Sequence, residues 1–242
     1  PYGLNFPVIT IKDMVRAQET LLEHLDIKKL LCATGGSMGG MQLLQFCATF
    51  PDKTFSAIPI ACSSSHSAQN IALNELARQA IMADPVWDNG KYFKKNVQPK
   101  NGLAVARMVG HISYLSEKGM QEKFGRELQE KADYEFSFNA DFQVESYLRH
   151  QGYTFVERFD ANSILYITRA MDYFDLSRQF NGSLVEAFKH QKTKFLVVSF
   201  SSDWLYTTKE NKDIVIALNA SGVDVSYSEI TTDKGHDSFL VE

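Results

Sequence analysis

The sequence predicts an α/β fold, a mostly parallel sheet with covering helices, interrupted once by a long helical insertion. Three observations carry this expectation. A short apolar run, Leu30-Leu31-Cys32-Ala33-Thr34, leads through Gly35-Gly36-Ser37-Met38-Gly39-Gly40 into an apolar helical stretch, so a strand turns sharply into a helix. Helix-like and strand-like patterns alternate from Ile11 to Pro59, the rhythm of a parallel sheet with helices over it. That rhythm stops near Ser63, gives way to successive helical patterns, and resumes at Lys194-Phe195-Leu196-Val197-Val198-Ser199-Phe200.

Taken in order, Thr10-Ile11-Lys12-Asp13 reads as a capping box, with Thr10 the N-cap and Asp13 at the third helical position. Met14, Ala17, Leu21, Leu22 and Leu25 follow at helical spacing and predict an amphipathic helix over 11–25. The strand at 30–34 comes next, then a helix at 38–49 stopped before Pro51. Phe55-Ser56-Ala57-Ile58 begins a second strand, which Pro59, having no N–H to donate, is expected to end or bend. Helices are then predicted over 68–83, closed by Asp84-Pro85, and over 102–115, 118–131, 141–150, 162–172 and 182–190, with a loop at 87–100. Tyr147, Phe155, Phe159, Tyr166, Tyr173 and Phe174 make this region dense in aromatics, which read as helix–helix core. After the strand at 194–200, a helix is expected at 213–220, closed by Gly222. An alternating strand at 223–230 follows, then a loop carrying Gly235-His236-Asp237. The expected organisation is a sheet core from 1–63 and 191–242 with a helical lid at 64–190.

Composition excludes several classes. A net charge of −4 gives no basic footprint for nucleic acid. No run approaches the roughly eighteen apolar residues that span a bilayer. Cys32, Cys47 and Cys62 fall in apolar strand or helix contexts without metal-like spacing. They read as buried hydrophobes in a reduced, cytoplasmic compartment, and neither a disulfide nor a metal is expected. The chain opens Pro1-Tyr2-Gly3 without methionine and ends two residues after Leu240, so it is expected to be a piece of a longer protein.

Strand, glycine-flanked serine and helix together make G-x-S-x-G a nucleophile elbow. Side chains two residues either side of Ser37 are expected to collide with the neighbouring strand and helix. The new helix would aim its first free N–H groups, that of Met38 among them, at a developing oxyanion. A serine hydroxyl is a weak nucleophile until an imidazole takes its proton, and the imidazole needs a carboxylate to fix its tautomer. Ser37, Asp203 and His236 each follow a predicted strand, where a parallel sheet binds its ligands. Their order, serine, aspartate, histidine, is that of the α/β-hydrolase fold. His24 reads as exposed, and His66, His111, His150 and His190, in the insertion, read as surface or packed residues. Such a triad means acyl transfer, to water or to another acceptor. Arg107, in an otherwise apolar helix, either pairs with a structural carboxylate such as Glu117 or Glu145 or grips a substrate carboxylate. With Asp237 beside the histidine, one cation and one anion would suit a zwitterionic amino acid.

Gly35-Gly36-Ser37-Met38-Gly39-Gly40-Met41-Gln42 resembles the elbow of the homoserine O-acetyltransferases, the MetX-type acyltransferases of the α/β-hydrolase superfamily. Gly102-Leu103-Ala104-Val105-Ala106-Arg107-Met108, His111-Ile112-Ser113-Tyr114-Leu115-Ser116, Lys123-Phe124-Gly125-Arg126 and Val144-Glu145-Ser146-Tyr147-Leu148 are similar to blocks of that family. So are Arg158-Phe159-Asp160-Ala161-Asn162-Ser163, Ser202-Asp203-Trp204-Leu205 and Gly235-His236-Asp237-Ser238-Phe239-Leu240. The resemblance implies Ser37 as nucleophile, Asp203 as orienting carboxylate, His236 as general base and the Met38 N–H as one oxyanion donor. It implies Arg107 on the carboxylate of L-homoserine, Tyr114 lining the same pocket and Asp237 on the amino group. The implied reaction is ping-pong acetyl transfer from acetyl-CoA, a substrate rather than a bound cofactor, in methionine biosynthesis. A homodimer through the helical lid is also implied. Succinyl transfer, serine as acceptor, and hydrolysis by an esterase or thioesterase stay open, as does a non-catalytic scaffold that retains the fold. Family members have a preceding segment with the first strands and the second oxyanion donor, and a final helix; both are expected to be missing here.

Overall fold

In a computed structural model describing residues 3–241, a parallel sheet takes the order β1 (Leu30–Gly36), β2 (Thr54–Ile60), β3 (Lys194–Phe200), β4 (Val225–Ile230), which are the four strands among the described residues. Helix α1 (Ile11–His24) precedes β1, and α2 (Met38–Thr49) joins β1 to β2. Between β2 and β3 run α3 (Ala68–Ala83), α4 (Lys100–Tyr114), α5 (Glu117–Phe124), α6 (Gln143–Val156), α7 (Ala161–Asp172) and the short α8 (Leu184–Phe188). Helix α9 (Thr208–Ala220) joins β3 to β4, and α10 (Ser238–Val241) follows. Among the described residues, no helix is long and apolar enough to cross a membrane.

Local signals set most boundaries. The capping box at α1 forms: Asp13 N–H donates to Thr10 Oγ1 (3.2 Å), and Thr10 N–H to the Asp13 carboxylate (2.9 Å). Thr207 and Glu210 form a second box, which starts α9 five residues before the expected 213. Pro59 neither ends nor bends β2 out of the sheet, since the strand runs on to Ile60 with Pro59 opposite Gly35. Pro59 and Ala61 share strand parity, so the missing donor faces β3. There the pairing skips from Ala57 to Ile60, and the Ala61 N–H restores it on the Val198 carbonyl (2.9 Å). The charged helix expected over 118–131 stops at Phe124 because Gly125 turns to φ +50°. The loop expected at 87–100 holds one short 3₁₀ turn, Tyr92–Lys95, and the end of another, Pro85–Gly90.

Two cores hold these layers. Met41, Leu44, Ala57, Val197, Ile214 and Leu218 fill the space between the sheet and its helices. Leu176 and Phe188, from the stretch before β3, pack into the same core. Ile81, Leu103, Ala104, Phe155, Val156 and Leu165 tie α3, α4, α6 and α7 together. Fully buried side chains such as Ile81 and Leu103 each contribute roughly 1.5–3 kcal/mol of hydrophobic stabilisation. Of the aromatics expected inside, Phe155 and Phe174 are buried, while Phe159 and Tyr173 are exposed. Cys47 and Cys62 are buried free thiols, but Cys32, on edge strand β1, is exposed because nothing among the described residues covers that strand's outer face.

Candidate active site

Ser37 sits between β1 and α2 at φ 56°, ψ −123°. A residue with a side chain held there carries about 1–3 kcal/mol of strain, and surrounding bonds must impose it. The Ser37 N–H donates to the Ile60 carbonyl of β2 (3.0 Å), while the Ser37 carbonyl accepts from Gly40 and Met41 (2.9 and 3.2 Å). The turn therefore is pinned to both the sheet and the helix. An added Cβ at Gly35 would lie 2.4 Å from the Gly39 backbone, as the crowding argument expects. On the helix side the crowded position is Gly40 rather than Gly39. A Cβ at Gly40 would fall 2.6 Å from the Cys62 side chain, whereas one at Gly39 meets nothing within 4 Å. Ahead of the first intrahelical bond, the Met38 and Gly39 N–H groups have no acceptor in α2, which is the arrangement an oxyanion site requires.

His236 and Asp203, brought from the loops after β4 and β3, form a buried pair with His236 Nδ1 2.8 Å from Asp203 Oδ2. The other carboxylate oxygen, Oδ1, accepts the N–H groups of Leu205 and Tyr206, both at 2.9 Å. With three partners, Asp203 is fixed in rotation and fixes the ring in turn. Among the described residues, no hydrogen bond joins Ser37 to His236.

Ser37, Arg107, Tyr114 and Tyr206 line one cavity of about 170 Å³ between the sheet edge and α3, α4 and α7. Leu73, Ile164 and Met171 make its apolar wall. The Arg107 guanidinium lies 4.8 Å from the centre of the Phe155 ring and 5.9 Å from that of Tyr114. No ion pair to Arg107 exists among the described residues. Glu145, one of its expected partners, instead accepts the Asp141 and Phe142 N–H groups (2.9 Å each) and caps α6. The cation is thus available to an anion entering the cavity. Burial raises the Tyr114 phenol, with Arg107 acting in the opposite sense. Tyr114 also packs its ring 5.8 Å from that of His236. Asp237 is half-buried and does not line the cavity; burial pushes its carboxyl above the ordinary value, against the charges of His236, Arg107 and Lys123. A cationic group beside it would favour the ionised form.

Sequence reasoning passed over two residues at this cavity. Tyr206, three positions after Asp203, packs its ring 5.1 Å from that of His236. Its hydroxyl lies 2.9 Å from Nε2 of His66, a histidine read from the sequence as surface or packed. The position of Tyr206 close after Asp203 was a usable signal, whereas nothing local marked His66. Among the described residues, no group of three or more His, Cys, Asp or Glu side chains is placed to hold a metal ion.

The sequence profile of the alpha/beta hydrolase fold matches residues 5–241. A homoserine O-acetyltransferase of Pelagibacter ubique is 65% identical over 241 residues, covering all of this chain and 65% of that protein. The crystal structure of a homoserine O-acetyltransferase from Bacillus anthracis superimposes with a TM-score of 0.90 at 26% identity, covering 98% of this chain and 63% of that one. That of esterase E22 gives 0.90 at 28% identity, covering 100% of this chain and 66% of that one. The chain spans somewhat under two thirds of the length of the curated relatives, 65% and 62% for the first two.

Proposed function

The chain belongs to the alpha/beta hydrolase fold family, and from that premise we propose that its protein is a homoserine O-acetyltransferase. Ser37 Oγ attacks the thioester carbonyl of acetyl-CoA while His236 Nε2 takes the hydroxyl proton, its charge steadied by Asp203. The Met38 N–H donates to the oxyanion of the tetrahedral intermediate. That intermediate collapses to an acetyl-serine, and the proton on His236 leaves with the CoA thiol. L-Homoserine then enters, His236 removes its hydroxyl proton, and the oxygen attacks the acetyl carbon. O-Acetylhomoserine and free Ser37 result, and methionine biosynthesis is the pathway this reaction serves.

One observation carries the choice of acceptor: Arg107 borders the serine-lined cavity and has no ion pair among the described residues. Its fork suits the homoserine carboxylate, Tyr114 lines the same wall, and Asp237 takes the ammonium. Fold likeness does not separate transfer from hydrolysis, because an acetyltransferase and an esterase superimpose equally well. Water in place of homoserine would make the same groups an esterase or thioesterase, and a succinyl donor or serine acceptor would use the same machinery. Incubating full-length protein with acetyl-CoA, with and without homoserine, and following free CoA thiol decides between these. Release that depends on homoserine and yields O-acetylhomoserine is expected; equal release in water alone would make the protein an esterase.

Arg107→Ala is expected to raise the half-saturating homoserine concentration by about 10- to 150-fold, the loss of a charge-assisted hydrogen-bond pair. Acylation by acetyl-CoA should change little. Blocked acylation with unchanged acceptor affinity would overturn the assignment.

The lid proposed at 64–190 also offers a homodimer surface: Phe136 and Phe138 are almost fully exposed, and Tyr153 is a little over half exposed. Sedimentation of the full-length protein tests this directly, and a monomer would refute it. The buried free thiols Cys47 and Cys62 support a reduced, cytoplasmic setting, which localisation of the tagged protein would check.

A further inference from the structure

The end of α4 lies against both loops that carry the proposed acid–base pair, and the proposed mechanism makes no use of its contacts there. The indole N–H of Trp204, next to Asp203 in the chain, donates to the Leu115 carbonyl at the C-cap of α4 (2.8 Å). Ser116, one residue on, donates its hydroxyl to the Asp233 carbonyl in the loop before His236 and accepts the Gly119 N–H (2.9 Å). The two loops are also tied to each other. Ser202 Oγ accepts the Gly235 N–H (3.0 Å), and Ser201 Oγ bonds both the N–H and the carbonyl of Thr232 (3.0 and 3.1 Å). Each of the three segments is thus bonded to the other two.

Close packing reinforces this ring. Gly235 stands at φ +72°, and an added Cβ there would lie 2.5 Å from the Ser116 nitrogen and 2.7 Å from the Tyr114 carbonyl oxygen. The backbone just before His236 therefore sits directly on the turn that ends α4. Tyr114, the last residue of that helix, sets its ring 5.8 Å from that of His236. Arg107 is seven residues earlier on the same helix, which is roughly two turns and about 10 Å of rise, so both side chains share a face. Both line the cavity. A helix transmits displacement along its length as a rigid element, so whatever seats the end of α4 also seats Arg107 relative to His236.

The acid–base pair does not depend on that seat. The bond from His236 to Asp203 (2.8 Å) and the two N–H groups on Asp203 Oδ1 involve no atom of α4. Removing the Trp204 N–H leaves those bonds in place and loosens only the helix that carries Arg107 and Tyr114.

We propose that Trp204 is a positioning residue: its indole N–H fixes α4, and with it Arg107 and Tyr114, at the distance from His236 that brings an acceptor hydroxyl to the base. This role rests on the acceptor reading of Arg107 and deepens it. Acetyl transfer to Ser37, which needs only the elbow and the acid–base pair, does not call on it.

The test uses full-length protein and follows the two half-reactions apart. Free CoA thiol after mixing with acetyl-CoA alone reports acylation. Mass spectrometry of the preformed acetyl-enzyme, with and without homoserine, reports its discharge. Trp204→Phe keeps an aromatic ring and removes the N–H. It is expected to slow discharge by homoserine about 10- to 100-fold, the scale of a misplacement of about 1 Å, while acylation and discharge by water stay within about twofold. Ser116→Ala removes the second tie and should show the same split, whereas Ser116→Thr retains the hydroxyl and should restore the parent rate. That pair reads the same coupling if Trp204→Phe does not fold, with far-UV circular dichroism as the check. Equal losses in both half-reactions, no loss in the folded variants, or a Ser116→Thr as slow as Ser116→Ala would overturn the proposal and leave Trp204 a packing residue. A parent acetyl-enzyme that homoserine does not discharge would instead remove the acceptor reading, and this role with it.

Discussion

Replacing Ser37 by alanine is expected to lower turnover by about five to six orders of magnitude, the scale seen when a serine nucleophile is removed from such a triad. Without Oγ there is no atom to carry the acetyl group, so the acyl-enzyme should vanish along with the steady-state rate. The fold should persist. Alanine keeps the Cβ that already stands at φ 56°, and the hydrogen bonds that impose this conformation come from the backbone. Mass spectrometry after mixing with acetyl-CoA, together with a thermal melt, checks both halves. A persistent acetyl adduct on the variant, or turnover within a hundredfold of the parent, would remove Ser37 from the mechanism.

The second large effect is expected at Asp203→Asn, a change that preserves shape and should still cost about 10⁴-fold in turnover. The hydrogen-bond pattern fixes the reason. Oδ1 of Asp203 accepts two backbone N–H groups, from Leu205 and Tyr206, and only an oxygen can take that place. The asparagine must therefore turn its NH₂ toward His236 Nδ1, where Oδ2 now stands at 2.8 Å. A donor there makes Nδ1 the acceptor and places the ring proton on Nε2. In that tautomer the imidazole cannot take a proton from Ser37, however well the groups remain aligned. Steady-state rates and the acetylation rate should fall together, with homoserine affinity little changed. Activity within tenfold of the parent would mean that Asp203 only packs the loop.

Much of this site was legible in the chain because its chemistry is local or follows the ends of strands. The Thr10–Asp13 box needs only three intervening peptide units, and the elbow needs only glycines beside a serine. Asp203 and His236 lie far from Ser37 in sequence, yet all three follow parallel strands. A parallel sheet delivers the residues after its strands to one edge, so their meeting could be argued before any coordinates.

What the sequence by itself determined is thus the α/β class, the strand-to-helix elbow at Ser37 and the order of serine, aspartate and histidine. Only the tertiary structure decided how β2 passes Pro59, that Gly40 rather than Gly39 is the crowded glycine, and that Glu145 caps α6 instead of pairing with Arg107. It also joined His66 to Asp172 and Tyr206 across 106 and 140 residues of chain. The physical reason is range. Spacing and capping act within a few residues and leave periodic marks, whereas a hydrogen bond between distant segments leaves none until packing brings them together.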